Sequence, residues 1–363
     1  MKSSHLLLVS CLLSGSLLAV TLPEDEGALQ FRNDVSLTHD SNIQGTDVGD
    51  SDLEFVYAPT LNFSRQSGIL GLDASVGGAF GFFADNDNYN YEDFDSKFAL
   101  TYPQDDTIPY SLSFGGGYSR TSQLDTFLGD RIQLELLGFN AGFRYNVNER
   151  WGYRVNGHWS DIAYDLAGRT GQTTWGAGLD FIYRYSDKLD FAAGYAYAET
   201  SSFTDTQDQT FRIQAEGELT PKITGTLGVG YQIRETDFGN SGDPYVNIEL
   251  AWAVNERIEV AATGSIGFLT TSTGASGQSS SFGLAASMAL RDSVTASAGV
   301  TYREASYDSF GIDRTDEGVI FQTSLLWQLN QAASLRATAS YGDNQSDTDL
   351  LTYDRVRVGI GAT

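Results

Sequence analysis

The feature that most constrains this chain is the alternation of its connections. Amphipathic runs of about a dozen residues are separated in turn by tight turns and by longer, acidic segments rich in Gly, Ser, Thr and Asn. Within a run the residue character alternates: Leu179, Phe181 and Tyr183 face one way, while Asp180 and Arg184 face the other. A period of two predicts β-strands. Short turns that alternate with long loops are typical of a transmembrane β-barrel.

Turn signals divide the chain into about eighteen predicted strands. Sixteen is the alternative, because the stretch Lys97–Tyr110, which carries Pro103 and Pro109, gives the weakest signal. We therefore predict an all-β fold, an antiparallel transmembrane barrel with both termini in the periplasm. The predicted strands span 29–38, 51–64, 69–83, 92–102, 109–120, 131–146, 151–165, 173–186, 189–199, 209–220, 223–235, 245–254, 257–270, 280–290, 293–304, 318–329, 333–342 and 351–362.

The connections between these strands predict which end of the barrel faces the cell exterior. Short turns belong to the periplasmic side and long loops to the outside. The clearest tight turns are 146–150, 186–188, 220–222, 255–257, 291–293 and 330–332, and the clearest long loops are 85–93, 201–209, 271–279 and 343–349. Two segments, Asp40–Asp52 and Ser306–Glu317, could fold inward and narrow the lumen.

The N-terminus predicts export. Lys2 precedes an apolar run from Leu6 to Val20, which an acidic segment follows, so residues 1–19 form a secretory signal peptide, cleaved after Ala19 or Thr21. Residues 20–363 then form a single barrel domain. We expect export through the Sec pathway to the outer membrane of a Gram-negative cell.

The only cysteine opens a second possibility for the N-terminus. Leu8–Cys11 resembles a lipoprotein processing box, but apolar sequence continues past Cys11, which favours ordinary cleavage. The mature chain then has no cysteine for disulfides or thiolate metal sites. No cluster of His, Asp and Glu has metal-site spacing, so we expect neither a metal nor another cofactor.

The charge of the chain excludes one class of partner and favours another. A net charge of −25 argues against nucleic acid. Aromatic residues on the apolar parity near strand ends suit a membrane interface rather than a soluble sandwich or propeller. They are Trp151, Tyr153, Tyr183, Tyr185, Trp252, Trp327 and Tyr353. The expected surroundings are therefore outer-membrane lipid and lipopolysaccharide.

The polar parity supplies candidate channel-lining residues. Charges on the lipid face cost about 2–4 kcal/mol at mid-membrane, so they should point inward. These side chains either simply solvate the wall or set an electrostatic profile for a solute. The candidates are Arg32, Asp34, Arg154, His158, Asp180, Arg184, Arg212, Glu216, Glu218, Arg234, Glu249, Arg336, Arg355 and Arg357.

One short motif raises an enzymatic alternative. The sequence His39-Asp40-Ser41-Asn42 is similar to the active-site motif of outer-membrane phospholipases and lipid A deacylases, in which His activates a Ser nucleophile. Here the motif closes the first strand and no orienting partner is identifiable, so it also fits a strand-to-loop junction. We expect no catalytic residues, with a Ser41/His39 lipid hydrolase as the alternative.

The same region resembles a known family. Thr38–Ile43, the acidic segment Gly49–Asp52, Tyr57–Leu61 around Pro59, and Gly71–Ala74 together resemble the putative β-barrel porin 2 family. Pro59 should mark a bulge. The resemblance implies an outer-membrane barrel often linked to exopolysaccharide or capsule gene clusters. It also implies contact with the barrel-assembly machinery and with a periplasmic polysaccharide-export component.

Three functions follow from the sequence. The first is a porin-like channel for polar solutes, involved in exopolysaccharide export. The second is the lipid hydrolase described above. The third is a closed structural or adhesive barrel whose acidic loops bind cations. Whether the lumen is open or plugged depends on how the loops fold, and the sequence leaves that question open.

Overall fold

The computed structural model of the protein describes residues 18–21, 27–66, 69–104, 108–125, 130–166, 169–237, 239–271, 273–309 and 312–363. The described residues form nineteen strands: β1 (Leu18–Thr21), β2 (Ala28–Asp40), β3 (Asp52–Arg65), β4 (Gly71–Phe83), β5 (Tyr91–Tyr102), β6 (Tyr110–Asp125), β7 (Asp130–Asn146), β8 (Trp151–Tyr164), β9 (Gln172–Ser186), β10 (Leu189–Ser201), β11 (Thr206–Thr220), β12 (Ile223–Thr236), β13 (Gly239–Asn255), β14 (Ile258–Thr270), β15 (Ser276–Arg291), β16 (Val294–Ser309), β17 (Ile312–Gln328), β18 (Ser334–Ser346) and β19 (Tyr353–Ala362).

Strands β2 to β19 close into an antiparallel barrel. Each strand pairs with its neighbours in sequence, and β19 pairs with β2 from Arg357 opposite Asp40 to Ala362 opposite Val35. Closure satisfies the backbone groups that an open sheet edge would expose to lipid. The prediction of an eighteen-stranded transmembrane barrel is therefore confirmed, and the sixteen-stranded alternative is wrong.

The short strand β1 continues the seam of the barrel. It pairs with Ala28–Phe31 of β2, beyond the point where β19 ends. The predicted cleavage positions, Ala19 and Thr21, lie in this strand. Residues 1–17, which carry the rest of the predicted signal peptide and Cys11, lie outside the described residues.

The turns lie where the sequence places them, but the outer ends of the strands are longer than predicted. The predicted turn at 186–188 separates β9 from β10, and that at 220–222 separates β11 from β12. On the outer side, β13 begins at Gly239 rather than 245 and β17 at Ile312 rather than 318. The acidic, Ser-rich composition of these segments is typical of loops, yet neighbouring strands continue to exchange backbone hydrogen bonds there.

Single-turn 3-10 helices at Asp87–Tyr89 and Asp349–Leu351 interrupt the outer connections. Within the described ranges, no helix has the length and apolarity needed to cross a membrane.

Pro59 does not produce the expected bulge. On one side it lies opposite Asn33 in regular register. On the other, β3 and β4 pair at Tyr57 with Phe80 and again at Thr60 with Gly77, in the same register. Since proline lacks the amide hydrogen, the ladder is interrupted there without an inserted residue.

The outer surface carries the aromatic side chains near the periplasmic turns. Trp151, Tyr185 and Trp327 are 55%, 67% and 50% exposed, as expected for side chains that face lipid at an interface. Tyr353 does not belong to this group, because it shares the parity of the inward residue Arg355 at the outer end of β19.

Candidate functional site

The inner face of the barrel is identified by side chains that meet across intervening strands. Arg154 on β8 pairs with Glu216 on β11 at 3.2 Å, and Arg144 on β7 pairs with Asp190 on β10 at 2.7 Å. Side chains converge on the concave side of a barrel and diverge on its convex side. These residues therefore line the lumen, and large apolar residues of the opposite parity face lipid.

One side of the lumen carries two neighbouring groups of ion pairs. Asp180 on β9 lies between Arg154, at 3.2 Å, and Arg212 on β11, at 2.8 Å. Nearer the periplasmic end, Arg144 and Arg184 both approach Asp190. We call this surface the charged wall, and it comprises Arg144, Arg154, Asp180, Arg184, Asp190, Arg212 and Glu216.

A glycine makes room for the buried carboxylate of the charged wall. Asp180 is only 1% exposed, and its side chain lies over β10 at Gly194. A Cβ atom at position 194 would overlap Asp180 Oδ1. Gly194 therefore allows Asp180 to reach Arg212, one strand further along the sheet.

On the opposite side of the lumen, the middle part of the wall carries small, uncharged side chains, with Arg336 nearer the periplasmic end and Arg357 nearer the outer end. Strands β15 to β18 line a cavity of about 380 Å³ on this side, between Thr38 of β2 and Arg357 of β19. We call this surface the neutral wall, and it comprises Ala285, Ser297, Gly299, Gln322, Ser324, Thr338 and Ser340. A solute in the lumen therefore meets fixed charges on one side and hydroxyl and amide groups on the other.

Solvent reaches the inner wall between the two ends of the barrel. His158, Glu249 and Arg336 all have inward parity and are exposed. Their side chains form neither an ion pair nor a hydrogen bond within the part of the chain that the structure describes. If side chains filled the interior as they fill a protein core, these three groups would be buried. Because they are exposed, the described side chains leave solvent-accessible space in the lumen.

A second network of charges lies at the outer end. Asp40 and Glu54 are 1% and 4% exposed. Arg355 donates to Asp40 at 2.9 Å, and Arg357 lies between Asp40 and Glu54 at 3.1 and 3.0 Å. The Tyr91 hydroxyl donates to Glu54 at 2.9 Å. This network ties the last strand to the first strands of the barrel.

The loop 41–51 folds into the outer opening. Ile43 is only 1% exposed, and the Asn42 side chain accepts a hydrogen bond from the Gly45 amide at 2.7 Å. Gly45 lies against Leu124 of β6, so closely that a Cβ atom would overlap it. Because β3, β4 and β5 separate the loop from β6, this contact requires the loop to lie inside the mouth.

The described residues of the loop 271–275, which are Thr271 and Thr273–Ala275, fold inward from the other side. Gln172 on β9 donates to the carbonyl of Thr271 at 2.7 Å, although β10 to β13 separate the two residues around the barrel. Arg234 donates to the carbonyl of Leu269, just before the loop, at 2.8 Å. Described residues of both loops therefore occupy part of the outer opening.

One predicted constriction is present and the other is wrong. Asp40–Asp52 contains the inward loop. Ser306–Glu317 instead continues β16 and β17 as a hairpin in which Ser306 lies opposite Thr315, with residues 310–311 outside the described part. The loop 271–275 is part of the segment 271–279, which the sequence predicted as a loop without predicting its inward fold.

The structure separates the predicted lining residues into four groups. Arg154, Asp180, Arg184, Arg212 and Glu216 meet in the charged wall. Near the periplasmic end, Arg32 pairs with Asp34 at 2.8 Å and Glu218 pairs with Lys188 at 2.7 Å. At the outer end, Arg234 pairs with Asp208 at 2.6 Å, and Arg355 and Arg357 belong to the network around Asp40. The fourth group is His158, Glu249 and Arg336, described above.

The sequence missed some members of these networks. Arg144 completes the charged wall, and Glu54 and Asp208 hold outer-end arginines. Arg144 alternates with Phe143 and Tyr145, so the period of two is sufficient to find it. Glu54 and Asp208 are partners of residues far away in the sequence, and only closure of the barrel brings them together.

The motif at the end of β2 is used structurally. The Ser41 hydroxyl accepts a hydrogen bond from the Val356 amide at 2.8 Å, which joins β2 to β19. Among the described residues, no hydrogen bond links Ser41 to His39. A serine nucleophile needs a base within hydrogen-bond reach, and this geometry gives the hydrolase alternative no support.

The acidic loops show no metal-binding cluster in the described ranges: no group of three or more His, Cys, Asp or Glu side chains could hold an ion.

The described residues form a closed barrel of eighteen strands around a solvent-accessible polar lumen. These two features define a porin-like outer-membrane β-barrel. The sequence model of the family described as putative beta-barrel porin 2 matches residues 212–363. The resemblance is therefore confirmed, although this match covers the C-terminal strands rather than the region between Thr38 and Ala74 on which the resemblance rests. A comparison with curated proteins finds no match.

Solved structures with a similar fold include Pseudomonas aeruginosa OccK2 (OpdF), with a TM-score of 0.50 and 12% identity, covering 96% of this chain and 98% of that one. Pseudomonas aeruginosa OpdK with vanillate has a TM-score of 0.48 and 10% identity, covering 92% and 98%. The ferric citrate transporter FecA has a TM-score of 0.48 and 10% identity, covering 92% of this chain, which spans 62% of FecA. At such identities the similarity is one of fold alone. None of the three is named as an enzyme.

Proposed function

We propose that this protein is an outer-membrane channel that lets polar solutes cross through its lumen. The observation that carries the proposal is the exposure of His158, Glu249 and Arg336 on the inner wall. Such groups are hydrated only where water enters, and a barrel of this strand number is wide enough to leave an aqueous path.

The two walls favour solutes that combine charge with hydroxyl groups. The charged wall offers guanidinium donors and carboxylate acceptors, while the neutral wall offers hydroxyl and amide groups that serve as both. An apolar solute would have to displace water from both surfaces without replacing its hydrogen bonds. The inward loops 41–51 and 271–275 then limit the size of what passes the outer end.

Export of an exopolysaccharide is the finer form of this proposal. It is supported by the family resemblance and by polar groups along the height of the lumen. These groups extend from the pair of Arg32 and Asp34 near the periplasmic end to Arg355 at the outer end. An extended sugar chain would exchange hydrogen bonds with successive groups. In this form the barrel works with a periplasmic export component, after insertion by the barrel-assembly machinery among lipopolysaccharide.

Planar-bilayer recording of the purified, folded barrel tests the channel proposal. We expect stepwise K⁺ and Cl⁻ currents, and reversible current block by neutral oligosaccharides if sugar chains enter the lumen. Folding is checked separately by the shift in electrophoretic mobility on heating. Folded protein that inserts but gives no current, at any voltage that the bilayer tolerates, would refute the channel and favour the closed barrel.

A further inference from the structure

A cavity of about 550 Å³ lies at the periplasmic end of the lumen. The charged wall forms its polar side through Arg144, Arg184, Asp190 and Glu216. Pro103 and Ile108, described residues near the two ends of the connection between β5 and β6, form a less polar side. A volume of this size suits a ligand of one or two sugar units.

The charges in this cavity are unevenly matched around Arg184. The Asp190 carboxylate is held by Arg144 at 2.7 Å, whereas Arg184 Nε lies 3.8 Å from it, beyond hydrogen-bond distance. Within the described residues the Arg184 guanidinium forms no hydrogen bond, and its side chain is 36% exposed. A guanidinium has five N–H donors in a planar fork, so Arg184 presents a free fork to the cavity.

The neighbouring groups decide which ligand this fork would accept. A carboxylate matches a guanidinium in a bidentate geometry. Nearby acceptors, the Glu216 carboxylate and the Asn146 amide oxygen, suit ligand hydroxyl groups. Arg144 and Lys188 line the same cavity, but they are held by Asp190 and Glu218 at 2.7 Å each. Arg184 is then matched by the single charge of one carboxylate, whereas the second charge of a phosphate would face Asp187, Asp190 and Glu216.

We propose that this cavity binds a sugar acid, with Arg184 holding its carboxylate and the surrounding acceptors holding its hydroxyl groups. The C–H face of the sugar ring would pack against Ile108. The proposal rests on the channel function, because the lumen is the route through which the ligand reaches and leaves the cavity. It assigns the substrate class of that channel as polyhydroxylated carboxylates.

Calorimetric titration of the full barrel in detergent tests the site without requiring conduction. The probes are galacturonate, galactose, which lacks the carboxylate, and inorganic phosphate. We expect galacturonate to bind at least tenfold more tightly than the other two. Arg184→Gln should weaken galacturonate binding at least tenfold, and Arg184→Lys should give an intermediate loss, because lysine keeps the charge but not the fork.

Arg336→Gln is the matched control. Arg336 is the third residue of β18, and Arg184 is the third residue from the end of β9, so both lie near the periplasmic turns. Eight strands separate β9 from β18 in either direction around the barrel, which places Arg336 across the lumen from Arg184. We expect galacturonate affinity in Arg336→Gln to stay within twofold of wild type.

The outcomes separate this proposal from the channel itself. Equal binding of galactose or phosphate, or unchanged galacturonate affinity in folded Arg184→Gln, would overturn the sugar-acid site even if the barrel conducts. Equal losses in Arg184→Gln and Arg336→Gln would also overturn it, because they indicate general attraction by the lumen. Specific binding of galacturonate by a barrel that carries no current would support the sugar-acid site and refute the channel proposal.

Discussion

The strongest prediction concerns Asp180, the buried carboxylate of the charged wall. In Asp180→Asn the shape of the side chain is retained, but two arginines lose a negative partner. Arg154 keeps Glu216 at 3.2 Å and is 29% exposed, so it can be rehydrated. Arg212 is only 15% exposed and has no other ion pair in the described part of the chain. The cost should therefore fall mainly on Arg212.

The magnitude follows from this difference between the two arginines. Removing one partner of a buried ion pair costs about 3–5 kcal/mol. Since lumen water compensates Arg154, we expect the free energy of unfolding to fall by about 2–3 kcal/mol. With a denaturant slope of about 3 kcal/mol per molar urea, the midpoint would move down by about 1 M.

Urea unfolding of the barrel in lipid vesicles, followed by tryptophan fluorescence, measures this change. Asp34→Asn is the control, because the pair of Asp34 with Arg32 is exposed and should contribute at most about 1 kcal/mol. Adding Arg212→Gln to Asp180→Asn should recover at least about 1 kcal/mol by removing the unpaired charge. The reasoning is refuted if Asp180→Asn costs no more than Asp34→Asn, or if the double substitution recovers nothing.

Two further substitutions test the walls and the outer opening. Gly194→Ala should lower the fraction of folded barrel, measured by the shift in electrophoretic mobility on heating, because the added Cβ overlaps Asp180. Gly267→Ala is the control and should be neutral, since its Cβ has only one neighbouring atom, at 3.9 Å. Equal folding of the two variants would contradict this steric argument. Asn42→Ala removes a side chain that pins the loop 41–51 and should raise single-channel conductance, so an unchanged conductance would show that this loop does not limit the current.

The sequence predicted the barrel well because the information that defines strands is local. The turns at 186–188 and 220–222 fall between consecutive strands as predicted, and alternation assigned Arg154 and Arg212 to the inner face. The sequence predicted the outer ends of the strands poorly. The segment Ser306–Glu317 is a hairpin rather than a loop, because pairing with a neighbouring strand outweighs its loop-like composition.

The candidate site was predictable only as a set of single residues. Parity places Arg184 in the lumen, but it says nothing about the distance of 3.8 Å that separates it from Asp190. That distance depends on the register between β9 and β10, where the ladder shifts between Leu189 and Asp190. Side-chain pairing on a sheet follows register. The apolar parity excludes a shift of one residue, which would exchange the two faces, but a shift of two residues keeps every side chain on its own face.

By itself, the sequence determined the strand period, the order of turns and loops and the parity of each charged side chain, since all three are properties of neighbouring residues. Only the tertiary structure decided which charges meet and how the outer opening is narrowed. Closure brings Arg357 to Glu54 across 303 residues of chain, and inward folding brings Thr271 to Gln172 across 99. Such contacts depend on curvature and register, which act between strands and leave no local pattern in the chain.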